Sequence, residues 1–375
     1  MKIHVLGVGA TEFGELWDIS PRAMAQDALF QAMQTSRVET ERIDALFVGN
    51  MLSGILSNQA NLGTLFAEDL CRGIPAFRIE GACASGGLAL HNAINSIRSG
   101  VYKTVAVLGI EKTTDHTQEQ VQSALMAAGS DEERHSGITY TGLFALMAQA
   151  YMQQYRVTHA DIAASSVKNH YHGSLNPNAQ FQKVITVEDV LKGAKIADPL
   201  RLLDCAPVSD GACAVILSSD ATLIKKQKKP VAITASVVAT DTLSLHNRKS
   251  FTSFDASVNA SKIAYKTVGI KPKDIDVAEV HDCFSIAEVM AVEDLGFSGR
   301  GMGAKDIAAG KFTLGIGEKI INPSGGLKAC GYAIGATGVK QVVEVVKQLW
   351  GKSKIGLTQN VGGSGSVAVV HILER

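Results

Sequence analysis

The 375-residue sequence predicts an α/β protein with a largely buried sheet, assembled from two related halves. Three observations carry that expectation. Short apolar runs alternate with segments of helical period from the N-terminus onward. Hydrophobic residues make up 46% of the chain and charged ones 19%, which allows a large core and sets disorder aside. Finally, Ile43-Asp44-Ala45-Leu46-Phe47-Val48-Gly49-Asn50 is echoed by Ile275-Asp276-Val277-Ala278-Glu279-Val280-His281-Asp282, and Ser85-Gly86-Gly87-Leu88 is echoed in the same order by Ser324-Gly325-Gly326-Leu327.

The elements follow in order. Ile3 to Val8 is a short, mostly apolar run and reads as a buried strand, Arg22 to Thr35 as a helix, and Ala45 to Val48 as a second strand. Ser85 to Arg98 is expected to be helical with Leu88, Ala89, Asn92, Ala93 and Ile97 near one face, and Gly100 supplies the stop. Thr104 to Gly109 is the next strand. The stretch from about 113 to 217 is less regular and reads as a long insertion where substrate contacts are expected, and the repeat divides the chain into an N-terminal half, 1–230, and a C-terminal half, 231–375. Near the C-terminus the strand Ile355 to Leu357 leads into Gly362-Gly363-Ser364-Gly365.

Lys+Arg and Asp+Glu both number 36, so no net field concentrates the protein on nucleic acid or an anionic membrane. No apolar run has transmembrane length and the N-terminus lacks a cleavable leader pattern, which points to a cytoplasmic protein. Six cysteines are dispersed without a CxxC pair, against both a disulfide framework and a structural zinc site. Cys71, Cys205 and Cys213 are expected to be inert thiols. His170 and His172 form an H-x-H pair without further suitably spaced ligands, so no metal is expected.

The chemistry centres on Gly81-Ala82-Cys83-Ala84-Ser85-Gly86-Gly87. A cysteine just before a helix lies at the positive end of the helix dipole, which favours thiolate, and the glycines let a carbonyl approach backbone N–H donors. Acyl transfer through a Cys83 thioester is the expected reaction. Val280-His281-Asp282-Cys283-Phe284-Ser285 and the loop at Gly362 also lie at strand ends, where they can converge on Cys83.

On these motifs, with Ala197 to Cys205, Ser209 to Ala212, Asn322 to Gly326 and Asn360 to Gly365, the chain resembles the thiolase superfamily over nearly its whole length. It is most similar to acetoacetyl-CoA thiolases related to the sterol-carrier-protein-linked thiolases. The resemblance implies two βαβαβαββ halves in five α-β-α-β-α layers with a loop domain, about 113–217, inserted in the first half, a homodimer or homotetramer, and coenzyme A thioesters as substrates with no further cofactor. It implies Cys83 as nucleophile, His281 as a donor to the thioester oxygen, Cys283 as acid/base, and an oxyanion or substrate-binding role for Gly362, Gly363, Ser324 and Asn322. An OB-fold partner with a zinc ribbon and a hydroxymethylglutaryl-CoA synthase are the partners such relatives keep. Arg201 and Lys168 are candidates for coenzyme A phosphate contacts.

Three positions depart from the family pattern. Where G-H-P is usual, this chain reads Gly331-Tyr332-Ala333, and Gln359 stands where close relatives often carry histidine. Tyrosine, with an ordinary pKa of about 10, donates a hydrogen bond but is a poor proton acceptor at neutral pH. Three readings follow: an attenuated thiolase with Tyr332 in the site, a thiolase-like retro-aldolase acting on a β-hydroxyacyl-CoA, and a non-catalytic subunit.

Overall fold

The computed structural model describes residues 2–70 and 73–375; Cys71 lies outside the described residues. The first half begins with β1 (Ile3–Ala10), α1 (Pro21–Ser36), β2 (Ala45–Gly49), the short α2 (Ser53–Leu56), α3 (Leu62–Leu70), β3 (Ala76–Ile79), α4 (Ser85–Arg98) and β4 (Thr104–Glu111). An inserted region holds α5 (Gln118–Leu125), α6 (Asp131–His135), α7 (Tyr140–Tyr155), α8 (His159–Ser174), α9 (Val187–Lys192) and a hairpin of β5 (Lys195–Ala197) with β6 (Leu200–Arg201). The chain then returns to the sheet as β7 (Gly211–Ser218). After α10 (Ala221–Lys225) the second half runs β8 (Val231–Thr240), α11 (Asp255–Val268), β9 (Val277–Glu279), α12 (Ser285–Asp294), α13 (Gly303–Ala308), β10 (Ile320–Ile321), α14 (Gly326–Cys330), α15 (Thr337–Trp350), β11 (Ile355–Gly362) and β12 (Val367–Glu374).

The main sheet has the order β10-β9-β11-β12-β8-β1-β7-β4-β2-β3. Outward from the β1–β8 seam, each side repeats the other: the first two neighbours pair antiparallel and the outer ones parallel, β1-β7-β4-β2-β3 on one side and β8-β12-β11-β9-β10 on the other. The duplication seen in the sequence is therefore a duplication of the fold, and β2 and β9 are equivalent strands. The second echo is not equivalent. By order in the fold α4 matches α15, both 14 residues long, whereas Ser324 to Leu327 leads into the five-residue α14.

Five layers result. Helices α1 and α3 cover the outer face of one half-sheet, α11 that of the other, and α4 and α15 lie side by side between them. Because α4 is covered on so many sides, its apolar stripe is wide: Ala89, Leu90, Ala93, Ile94 and Ile97 are buried, the larger of them worth about 1.5–3 kcal/mol each. Asn92, expected on that face, is instead exposed, with its Nδ2 donating to the Leu88 carbonyl at 2.8 Å. The two central helices touch through glycine. A methyl group built at Gly86 would lie 2.8 Å from the Gly335 carbonyl oxygen and 2.9 Å from the Gly338 nitrogen.

Two buried carboxylates tie the frame together. Glu111, at the end of β4, accepts from Asn50 Nδ2 at 2.7 Å, from the Met51 and Leu52 N–H groups at 3.0 and 3.1 Å, and across the halves from Gly335 N–H at 3.1 Å. Asp282 accepts from the Leu327 and Lys328 N–H groups at 2.7 and 3.1 Å and so caps α14. The polar stretch around Lys168 to Pro177, expected to be irregular, is mostly α8, begun by a capping box between Thr158 and Asp161.

Candidate active site

The two central helices and the ends of β9 and β11 bring the expected groups together. Cys83 precedes α4 and is fully buried. Its Sγ lies 3.7 Å from the Tyr140 hydroxyl, and the Tyr332 hydroxyl and the Gly363 N–H also reach it. Cys283, just before α12, shares the Tyr140 hydroxyl. Tyr332 is held by its own N–H, which donates to Ser209 Oγ at 2.8 Å, and its hydroxyl sits 3.4 Å from His281 Nε2. Gly363, with φ +58 at the turn after β11, uses its carbonyl to accept from Tyr140 at 2.8 Å. Gly362 packs directly on the Cys83 loop, where an added Cβ would collide with the Gly81 carbonyl.

Asn360 organises the imidazole. Its Oδ1 accepts from Gly87 N–H at 3.1 Å, and its Nδ2 donates to the Cys83 carbonyl at 3.0 Å and faces His281 Nδ1 at 3.3 Å. The two backbone bonds fix which way the amide points, so Nδ1 must offer its lone pair and Nε2 must carry the proton. Burial lowers the His281 pKa to about 3, which keeps the ring neutral. Its Nε2–H is thus a hydrogen-bond donor aimed at the tyrosine and at whatever oxygen lies beside it. Gln359 holds the same segment, accepting from the His281 N–H at 2.9 Å and donating to Ser257 Oγ at 2.9 Å.

The expectation of a thiolate at Cys83 is overturned. Burial pushes its pKa up, against hydrogen bonds from Tyr332, Tyr140 and the Gly363 N–H that pull it down. A helix dipole contributes up to about 2 kcal/mol in partly buried geometries, while full burial shifts pKa values by up to about 3–5 units. Cys283 and Tyr332 are likewise raised well above their ordinary values, burial again being the largest cause. Cys83, Cys283, Tyr332 and His281 are therefore each uncharged at pH 7.

Ser324 and Asn322 sit apart in a second buried polar cluster. Ser324 donates from Oγ to Glu279 at 2.9 Å, while Asn322 accepts from the Val280 N–H at 2.7 Å and donates to Glu288 at 3.0 Å. Among the described residues neither side chain hydrogen-bonds to Cys83, His281, Cys283 or Tyr332. Lys168 lies in that same cluster, paired with Glu288 at 3.0 Å and almost fully buried, so it does not face solvent where a coenzyme A phosphate would lie. Arg201 donates to the Gly193 carbonyl at 2.9 Å. His172 bridges α8 to the second half, with Nδ1 on the Asn322 carbonyl and Nε2 accepting from Leu314 N–H, each at 2.9 Å. His170 Nδ1 is engaged by the Lys183 carbonyl at 2.9 Å.

His172 gives a stability prediction. Burial, then Lys168, lowers its pKa to about 3, against about 6.5 unfolded. Between those values the unfolded chain binds more protons, so this contribution is present above the unfolded value and is lost as pH falls toward the folded one. Denaturant midpoints measured on the native protein and on His172→Gln should converge as the pH is lowered through that window. Buried carboxylates such as Glu111 and Glu279, raised to about 7, act in the opposite sense, but they are common to both proteins.

A cavity of about 220 Å³ opens onto the site. Its wall is mostly apolar, with Val121, Leu125, Leu202 and Ile334, and its polar end carries Tyr140, Tyr332 and Cys283. Cys205 also lines it, half-buried, with burial pushing its thiol up to about 12. Two residues at the centre of the site, Tyr140 and Asn360, were not singled out in the sequence.

A buried cysteine at a strand–helix junction, facing a second cysteine and a histidine across a duplicated five-layer fold, defines the class. The descriptions "Thiolase, N-terminal domain" and "Thiolase C-terminal domain-like" match residues 3–221 and 237–375, and the chain belongs to the thiolase family. It is 43% identical to an acetyl-CoA acetyltransferase of Methanothermobacter thermautotrophicus, over all of this chain and 99% of the relative. It is 41% identical to an acetyl-CoA acetyltransferase of Methanocaldococcus jannaschii, over 99% of this chain and 98% of the relative. In fold it resembles the Ltp2–ChsH2(DUF35) aldolase, with a TM-score of 0.84 at 23% identity, covering 99% of this chain and 97% of that one.

Proposed function

We propose that this protein is an acyl-CoA acyltransferase of thiolase type, acting on a 3-ketoacyl-CoA such as acetoacetyl-CoA, and that Tyr332 slows its acylation step. Cys83 Sγ attacks the C3 carbonyl, the C2–C3 bond breaks, and Cys283 protonates C2 of the departing acetyl-CoA enolate. Attack by a coenzyme A thiol then removes the acyl group from Cys83; the coenzyme A thioesters are substrates and no further cofactor takes part. His281 Nε2–H donates to the enolate oxygen, and the Gly363 N–H to the oxyanion formed at C3. The observation that carries this reading is the clustering of Cys83, Cys283, His281 and the Gly363 N–H about Tyr140 and Tyr332, which with Cys283 line an apolar cavity. Mass spectrometry after incubation with acetyl-CoA is expected to find an acetyl group on Cys83; an unmodified Cys83 in folded protein sinks the proposal.

A homodimer or homotetramer in the cytoplasm goes with it. Strand β3 ends the sheet with no outer neighbour among the described residues, and Phe77 on it is exposed. No helix among the described residues is long and apolar enough to cross a membrane. One observation favours a second reading, a retro-aldolase: two tyrosine hydroxyls line the cavity while Cys83 does not. That reading expects Cys83→Ala to keep cleaving a β-hydroxyacyl-CoA to a ketone or aldehyde.

A further inference from the structure

We propose that Tyr140 is a further catalytic residue, whose hydroxyl hands the Cys83 proton on to Cys283 during acyl transfer. The inference rests on the thiolase reading and answers a question it raises. Cys83 is a neutral thiol, and its proton needs somewhere to go when sulfur attacks carbon. Two hydroxyls touch it, those of Tyr332 and Tyr140. The route through Tyr332 leads to His281 Nε2 at 3.4 Å, and that nitrogen already holds a proton because Asn360 claims the lone pair of Nδ1. It is closed.

The route through Tyr140 is open. Its oxygen lies 3.7 Å from Cys83 Sγ, and Tyr140 lines the same cavity wall as Cys283, whose thiol it neighbours, so one rotatable O–H serves both sulfurs. The ring does not wander. Tyr140 opens α7, whose N-terminus is capped by Thr139, and packs on Phe144 and Phe284 with centroids 5.2 and 5.9 Å away. Only the hydroxyl proton, which rests on the Gly363 carbonyl at 2.8 Å, has to turn.

The step balances without an external base. As the bond from Cys83 Sγ to C3 forms and C2–C3 breaks, Cys283 gives its S–H proton to C2. Tyr140 gives its O–H proton to Cys283, and Cys83 gives its S–H proton to Tyr140. Both relay groups end as they began, and the Cys83 proton has in effect been delivered to C2. No group has to hold a full charge in the buried site, which suits residues whose burial penalises ions.

The test is a comparison of Tyr140→Phe in two backgrounds by acetoacetyl-CoA thiolysis. In the native background kcat is expected to fall by about a hundredfold with KM changed less than about threefold. In Tyr332→His, where an imidazole can take the proton, the same substitution should cost less than about fivefold. The native protein should also show a solvent deuterium effect on kcat with a curved proton inventory, lost in Tyr140→Phe. Equal costs in the two backgrounds, or little loss in the native one, overturn the relay and leave Tyr140 a support for Gly363. Absence of both turnover and acetyl-Cys83 in the native protein removes the thiolase reading and the relay together.

Discussion

In Tyr332→His, thiolysis of acetoacetyl-CoA is expected to rise by on the order of 10² to 10⁴, the range a positioned acid/base contributes. The residue at this position has its hydroxyl against the Cys83 thiol. Burial there penalises an imidazolium, yet a neutral imidazole is already a far better acceptor than a phenol whose pKa is raised well above 10. The backbone needs little change, because Ser209 Oγ holds the N–H of residue 332 whatever its side chain. Steady-state kinetics on purified protein decide the matter, with Cys83→Ala in the same background expected to return the rate to that of buffer. A rate unchanged or lowered in Tyr332→His would mean that Ala333, in place of the usual proline, has altered the loop path.

Asn360→Asp is expected to lower kcat by on the order of 10² to 10³, the cost of one lost oxyanion donor, and to make the rate depend on pH in a new way. The carboxylate still accepts from Gly87 N–H, but it now also accepts from His281 Nδ1–H. The lone pair moves to Nε2, and the substrate oxygen meets an acceptor where it had met a donor. The neighbouring negative charge raises the imidazole pKa from its native value of about 3. As pH falls through the new value, imidazolium restores the Nε2–H, so the variant should gain activity on acidification while the native protein shows no imidazole titration there. A pH–rate profile of both proteins checks it. A loss of rate in Asn360→Asp with no acid recovery would point to the Cys83 carbonyl contact instead.

Much of this fold was legible because its signals are local. The apolar run at Ile3, the small residues around Cys83 and the Gly100 stop each follow from backbone and packing rules acting within a few residues. The duplication was legible too, but only through the strand match. The Ser324 to Leu327 echo misled because shared glycines mark tight turns of many kinds, whereas the true counterpart of Ser85-Gly86 is Thr337-Gly338 at the start of α15, fixed by helix order rather than residue likeness. In the site, Cys83, His281 and Cys283 stood in motifs. Tyr140 did not: it lies on an inserted helix 57 residues from Cys83 and 223 from Gly363, and nothing near it in sequence marks its neighbours. Asn360 stood in a quoted motif, yet its role depends on which way an amide points, a property of three partners far apart in the chain. The protonation state of Cys83 was misread for a related reason. A dipole is visible in the sequence as a helix start, but the desolvation that outweighs it is a sum over the whole core.

The glycine contact between α4 and α15 has a consequence for what mutation can do here. Where α4 meets α15, main chain presses on main chain at Gly86, Gly335 and Gly338, close to the loops that carry Cys83 and Tyr332. Such a joint works like a machinist's gauge block: it keeps its dimension when the tools mounted on it are exchanged. A histidine can therefore give way to a tyrosine at one end without shifting the sulfur at the other, and the reaction a descendant catalyses is open to revision one side chain at a time while the frame that aligns its reagents stays the same.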